Sequence, residues 1–302
     1  MINKHYFFKF KQGNSGFIKF RESKDYNKNG FPLPIYFGSW TIEKYLNDLE
    51  NIYFGNSHQK EHRKSQVKTF FNLINSEDNI YFWIFLADEI LAIKVNKPYK
   101  IFQVQENQPD YLVDSDKDGS IPKFFYGTMV KEFDKSKLPE CFANINTNQK
   151  YNRKTIVELV GVEQEIAENL IVKEGKLPIS RDKILEYLSP IQFETLIFLI
   201  FVEKGIHCST YRGGTREKYD LTIDNNKKIF PDFEEDDNIN IQIKKKKDKP
   251  EKSDGKTIFV YLGESKKENM LFGKDWILSN INESNYISRW LEKSLEYFSI
   301  ED

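Results

Sequence analysis

Cysteine is nearly absent from this chain: two among 302 residues, Cys141 and Cys208. So few thiols argue against a disulfide framework and a thiolate metal site, and they point to a reducing compartment, the cytoplasm. Long apolar runs are missing too. The longest, Thr195 to Val202, meets Glu203 and Lys204 well short of the roughly 20 residues a bilayer span needs. No membrane association is expected. The opening residues Met1-Ile2-Asn3-Lys4-His5 carry no apolar stretch followed by small residues, so no export signal is visible. Neither sign of charge is in excess: 45 Lys+Arg against 46 Asp+Glu leave a formal net charge of −1. That excludes a globally basic nucleic-acid binder but leaves room for a local basic groove. Repeats at solenoid periods are absent as well.

What the chain has is aromatic bulk, with 25 Phe, 16 Tyr and 4 Trp. These supply core material and argue against disorder as the overall state. The length suggests two domains. The first half reads as short aromatic strands separated by turn residues such as Gly13-Asn14-Ser15-Gly16 and Asn29-Gly30. Helical spacing appears over Trp40 to Tyr53 and Gln66 to Leu73. Ile80 to Leu86, the acidic turn Asp88-Glu89 and Ile90 to Val95 read as strand, turn, strand. Ile101 to Val104 and Phe124 to Lys131 continue the pattern, and a barrel or strongly curved sheet accommodates it.

From about Val157 the pattern changes. Val162 to Leu170 and Arg181 to Leu188 read as helices joined through Gly175-Lys176-Leu177-Pro178. Ser189 caps, and Pro190 opens, a strong helix from Ile191 to Lys204 that Gly205 ends. Strands follow over 206–211, 219–223, 239–244 and 257–262, then helices over 276–281 and 286–298. The fold class is therefore α/β or α+β. A β-rich recognition domain spans 1–160, a helical connector 161–184, and an α/β domain 185–302.

The chemistry-bearing residues lie in the last of these. Glu194 sits on the strong helix. Tyr211-Arg212-Gly213-Gly214 leads to Asp220 at a strand start, and Ile241-Gln242-Ile243-Lys244 forms the next strand. Residues i and i+2 of a strand share a face, so Gln242 and Lys244 project together while Ile241 and Ile243 enter the core. A carboxylate, an amide oxygen and an ammonium then converge. Hard oxygens suit Mg²⁺, with Asp220 and Gln242 as its ligands, and Lys244 is placed to orient or deprotonate a water. The competing reading makes Asp220 a strand start, Gln242 an exposed strand residue and Lys244 to Lys247 a solvated edge.

At these residues the sequence resembles the PD-(D/E)xK nuclease superfamily, in particular its Mrr-like restriction endonuclease branch. That branch carries a helix Glu, an Asp after a Gly-containing turn and a Gln-x-Lys on the next strand, here Glu194, Asp220, Gln242 and Lys244. The resemblance covers about residues 185–300 and implies a restriction-endonuclease-like mixed-sheet domain. It also implies a metal-dependent DNA endonuclease of restriction or antiviral defence, using Mg²⁺ or Mn²⁺, with all four residues catalytic. Two features depart from the pattern: the long acidic segment Asp224 to Asn240, and the further lysines Lys245-Lys246-Lys247. Arg212, Arg216, Lys245 and Lys246 are candidate phosphate contacts, though the run reads equally as a loop kept soluble. Residues 80–159 loosely resemble PUA-like modules such as EVE domains, small barrels that bind modified bases. On that resemblance Trp83 or Trp40 would stack on a flipped base; packing inside a barrel is the commoner fate of strand aromatics.

A homodimer acting on DNA, modified or not, is expected, since cutting both strands takes two sites. The alternatives are a non-catalytic nucleic-acid-binding protein on a nuclease-like scaffold, and an RNA-cleaving nuclease. Asp220→Ala is expected to abolish cleavage with little loss of folding. Three look-alikes are set aside. Asp114 to Gly119 starts like a calcium loop but reaches Phe125 where a bidentate Glu is needed. His207 and Cys208 face opposite sides of a strand. Arg212 to Arg216 lacks the Gly-Lys-Ser/Thr of a nucleotide loop.

Overall fold

A computed structural model describes residues 2–9, 21, 30–35, 68–99, 102–103, 123–147, 151, 155–173, 175–211, 219–225, 230, 238–245, 257–265 and 271–301. The chain is mixed α/β and divides into two compact units, Met1–Gly175 and Lys176–Asp302. The stretch expected as a connector is shared between them: its helix belongs to the first unit and its remaining elements to the second. Among the described residues no helix is long and apolar enough to cross a membrane.

The first unit is built on a curled seven-stranded sheet. Its strands are β1 (Asn3–Phe8), β2 (Phe31–Ile35), β3 (Asn79–Phe85), β4 (Glu89–Val95), β5 (Phe102–Gln103), β6 (Lys123–Asp134) and β7 (Ile156–Glu158). They lie in the order β2-β6-β4-β3-β1-β7, with β5 also on β6, and only β1 and β3 pair in parallel. The expected hairpin is β3–β4, closed by Leu86 N–H donating to Glu89 O at 2.9 Å. Two devices shape the curl. A bulge shifts the β4–β6 register between Ala92 and Ile93, so that Val130 is the extra residue. Gly127 of β6 sits where a Cβ would come within 2.6 Å of both Ile93 and Leu33, so only glycine lets the strands close up.

β3 is buried on both faces, which explains its unbroken apolar run. One face joins Tyr6, Phe8, Leu33, Phe70, Ile93 and Phe125 in the main core, where Phe8 stacks on Phe82 at 4.6 Å. The other face carries Tyr81, Trp83 and Phe85. It is covered by Phe133 and by Phe142, the latter on a one-turn helix, Glu140–Ala143, while Tyr151 packs on the neighbouring Phe7. Helix α1 (Val162–Val172) packs beside β1. The residues expected as a helix over 66–73 are helical from 68 to 74 where described. The helix expected over 40–53 lies outside the described residues.

The second unit begins with β8 (Leu177–Ser180) and a 3-10 turn, Arg181–Glu186. Helix α2 (Pro190–Glu203) follows, with the start the sequence announces and one addition. Ser189 accepts from Gln192 N–H, and the Gln192 side chain accepts from Ser189 N–H. Gly205, at φ +66°, ends it: its N–H donates to Val202 O and that of Ile206 to Phe201 O, a left-handed glycine closure. Strands β9 (Cys208–Tyr211), β10 (Leu221–Asp224), β11 (Asn238–Lys244), β12 (Thr257–Tyr261) and β13 (Leu271–Phe272) form a sheet in sequence order. β10 runs against both neighbours, while β11, β12 and β13 are parallel. Helices α3 (Lys274–Glu283) and α4 (Asn285–Ser294) follow, then β14 (Phe298–Glu301), which pairs in parallel with β8. The helix expected to run to Phe298 therefore stops at Ser294, and the linker expected around Leu177 is a strand.

Candidate active site

The alternation anticipated on β11 is present. Ile239, Ile241 and Ile243 are buried, while Asn240, Gln242 and Lys244 share the opposite, half-buried face. β10 obeys the same rule: Leu221 and Ile223 are buried, and Asp220, Thr222 and Asp224 are half-buried. Leu221 pairs with Ile241, and Asp220 stands just before that pair, bonded to Ile241 and Ile243 on either side of Gln242. On the other side, parallel pairing sets Phe259 beside Gln242 and Tyr261 beside Lys244. Asp220 is thus held beside the stretch of β11 that carries Gln242.

Asp220 is fixed twice. Its N–H donates to Ile241 O at 3.0 Å, and its Oδ2 accepts from Ile243 N–H at 2.6 Å. The carboxylate stands in for a ladder carbonyl and satisfies a half-buried N–H that would otherwise be orphaned. This revises the expectation for alanine at this position. Asp220→Ala removes a backbone partner as well as a charge, whereas asparagine keeps an acceptor oxygen there.

Glu194, in the second turn of α2, is half-buried. Its carboxyl is pushed above the ordinary carboxylate range, first by burial and then by the Asp220 carboxylate; the Lys244 ammonium pulls the other way. Glu194 therefore feels the charge of two groups far from it in the chain. Like charges held together in partly dry surroundings raise the protonation tendency of one partner, and a cation between them relieves it.

Among the described residues no group of three or more His, Cys, Asp or Glu converges. Hard oxygens from one or two carboxylates are the kind of donor Mg²⁺ takes, together with its waters and substrate phosphates. Glu194, the second oxygen of Asp220 and the amide oxygen of Gln242 fit that pattern.

Other expected roles land elsewhere. Lys245, a candidate phosphate contact, donates from Nζ to Glu186 O at 2.8 Å in a half-buried setting. Arg212, Arg216, Lys246 and the acidic run 234–237 lie outside the described residues. Trp83 is wholly buried and donates from Nε1 to Nδ1 of His5 at 3.1 Å, so it packs the first unit's core instead of presenting a face to a base. Trp40 lies outside the described residues. Beside the set-aside pair, His207 Nε2 is 3.9 Å from Asp224 Oδ2. The Cys208 thiol is pushed up to about 11 by burial and then by Asp224, so it is protonated at neutral pH. A cleft of about 380 Å³ elsewhere in the second unit, floored by Ile184, Leu291, Leu295 and Phe298, includes none of the four candidate residues.

Sequence reasoning missed the Ile243 N–H that orients Asp220, the pairing of Tyr261 with Lys244 and the Lys245 tie. Strand alternation bears only on the second of these, because it places Thr257, Phe259 and Tyr261 on one face. The chain matches no protein-family model, no curated protein and no solved structure.

Proposed function

We propose that the second unit hydrolyses phosphodiester bonds of DNA with metal-activated water, in a restriction or antiviral defence setting. The observation that carries this reading is the seating of the Asp220 carboxylate on β11, the strand whose polar face carries Gln242 and Lys244, beside the Glu194 carboxyl of α2. That is the order and context the resemblance to PD-(D/E)xK nucleases implies. Glu194, Asp220 and Gln242 would hold Mg²⁺, with Mn²⁺ able to replace it. When bound, such an ion stabilises charge on the phosphate oxygens and lowers the pKa of a bound water. Lys244 directs its ammonium at the attacking oxygen and the charge building on phosphorus. The water oxygen bonds to phosphorus as the bond to the leaving sugar oxygen breaks, and that oxygen takes up a proton. No covalent bond to the enzyme forms. Ile243 N–H keeps Asp220 in place throughout. The first unit serves as the reader of the DNA, modified or unmodified, and two copies together supply a site for each strand.

Gln242 favours a second reading. It brings no negative charge where an acidic ligand would, and so is compatible with a scaffold that binds nucleic acid without cutting it. The test incubates plasmid DNA, modified and unmodified, and RNA with the protein and Mg²⁺ or Mn²⁺. Asp220→Asn and Lys244→Met serve as controls that preserve shape. Cleavage by the wild type, lost by at least a hundredfold in both variants, is the expected result. Binding without cleavage of any substrate would establish the scaffold instead, and cleavage of RNA alone would move the substrate class.

A further inference from the structure

We infer that Lys245 is a positioning residue of the candidate active site, holding the strand that carries Gln242 and Lys244 in fixed relation to the helix that carries Glu194. The inference rests on the nuclease reading above and extends it to a residue outside the polar face.

The geometry is specific. β11 ends at Lys244, and the next residue reaches from the strand to the carbonyl of Glu186 at 2.8 Å, in half-buried surroundings. Glu186 closes the 3-10 turn Arg181–Glu186. Tyr187 and Leu188 then run through the core, and Ser189 caps α2. The chain from Glu186 to Glu194 is thus rigid: a turn end, two buried side chains, a capping box and the first turns of a helix. A cation placed on the carbonyl at the C-terminal end of a helical turn makes a charge-assisted hydrogen bond and meets the negative end of its dipole.

The place of Lys245 in the chain supplies the second half. Lys245 directly follows Lys244, the last residue of β11, and turns to a partner outside the sheet. One lysine thus faces the polar site while its neighbour anchors the same backbone. Ile243, one residue earlier, donates its N–H to Asp220. The last residues of β11 are therefore pinned to Asp220 through Ile243 and to the root of α2 through Lys245, with Lys244 between. Three catalytic groups on three different elements need such a strut, because displacement by about 1 Å can lower turnover a hundredfold.

The test compares wild type with Lys245→Met, which keeps the stem and loses the donor, and Lys245→Arg, which restores one. With plasmid and Mg²⁺, Lys245→Met is expected to lower kcat on the order of tenfold or more. KM and the salt dependence of DNA binding should stay within twofold of wild type, and Lys245→Arg should recover most of the loss. Thermal melting identifies variants that fail to fold, and for these the Arg variant carries the comparison alone. A phosphate-contacting lysine behaves differently: KM rises, the salt slope falls by about 1 and kcat holds. That result, or an unchanged kcat in an active protein, overturns the inference and leaves the nuclease reading intact. A wild type inert toward every nucleic acid offered overturns both.

Discussion

Acid should weaken the first unit through one side chain, His5. It is fully buried, and both ring nitrogens are committed. Trp83 Nε1–H can only donate, so Nδ1 of His5 must be the bare acceptor at 3.1 Å. Nε2 therefore carries the proton and donates to Glu168 Oε2 at 2.7 Å. Asn3 Nδ2 donates to the other oxygen of Glu168 at 2.9 Å and completes the group. A second proton would have to enter at Nδ1, straight against the Trp83 N–H, and would bury a cation. His5 is accordingly held below its ordinary range: burial dominates, although the Glu168 bond and charge work against it. In the unfolded chain the same imidazole takes up a proton near pH 6.5. Below that pH the unfolded state binds more protons than the folded one. Stability is full above about pH 6.5 and falls as pH drops, by up to about 1.4 kcal/mol per pH unit until the folded-state value is passed. The assay is guanidinium denaturation at pH 7.5, 6.5 and 5.5 on the wild type, His5→Gln and Trp83→Phe. His5→Gln should start less stable, because Trp83 loses its acceptor at a cost of about 1–3 kcal/mol, but should not share the slope. Trp83→Phe frees Nδ1 to be protonated opposite Glu168, and should flatten the slope as well. The carboxylates held low at Asp78, Asp134, Asp182 and Asp275 act in a more acidic window and do not confuse the comparison. Parallel lines for the wild type and His5→Gln would refute the tautomer and the burial argument together.

Gly273, before α3, is packed so closely that a Cβ would lie 2.0 Å from Gly263 O and 2.6 Å from Ser265 N. Gly273→Ala must therefore push backbone apart, and a loss of about 1–3 kcal/mol by denaturant titration is expected; an unchanged midpoint would show that the loop yields freely. At the site, Glu194 takes a proton at higher pH than an ordinary carboxylate, so Mn²⁺ affinity should decline early as pH is lowered from 7 to 5, seen as free-ion signal by electron paramagnetic resonance. Glu194→Gln should bind Mn²⁺ more weakly and lose that early decline. An affinity equal to wild type in the variant would remove Glu194 from the ligand set.

Elements marked by local chemistry were legible in the sequence. Ser189, Pro190 and Gly205 are stop and start signals that work within a few residues, so α2 was delimited nearly to its ends. The β3–β4 hairpin announced itself by its acidic turn between apolar runs. What escaped was set by distant partners. β8 contains Leu177-Pro178, which looks like a turn until β14 lies alongside it. The final helix was extended too far because Ile287, Leu291, Leu295 and Phe298 keep helical spacing; the last of these is buried against Tyr187 after the helix has ended. Trp83 shows the same limit, since a run apolar at every position does not say what covers its second face. At the site, strand alternation was enough to put Gln242 and Lys244 together. The direction in which Lys245 would reach depended on where the chain around Glu186 had already been carried by the fold.

The pairing of β8 with β14 bears on how the second unit assembles. Among the described residues each is the other's only strand partner, and they come from opposite ends of the unit's sequence. Neither can form a ladder until nearly all the intervening chain has been synthesised and brought round, which is the slow kind of contact in folding. A nascent chain will hold Leu177 and Ile179 uncovered throughout that interval, so the ribbon is the last part of the unit to lock and the first to open when the trailing strand is trimmed.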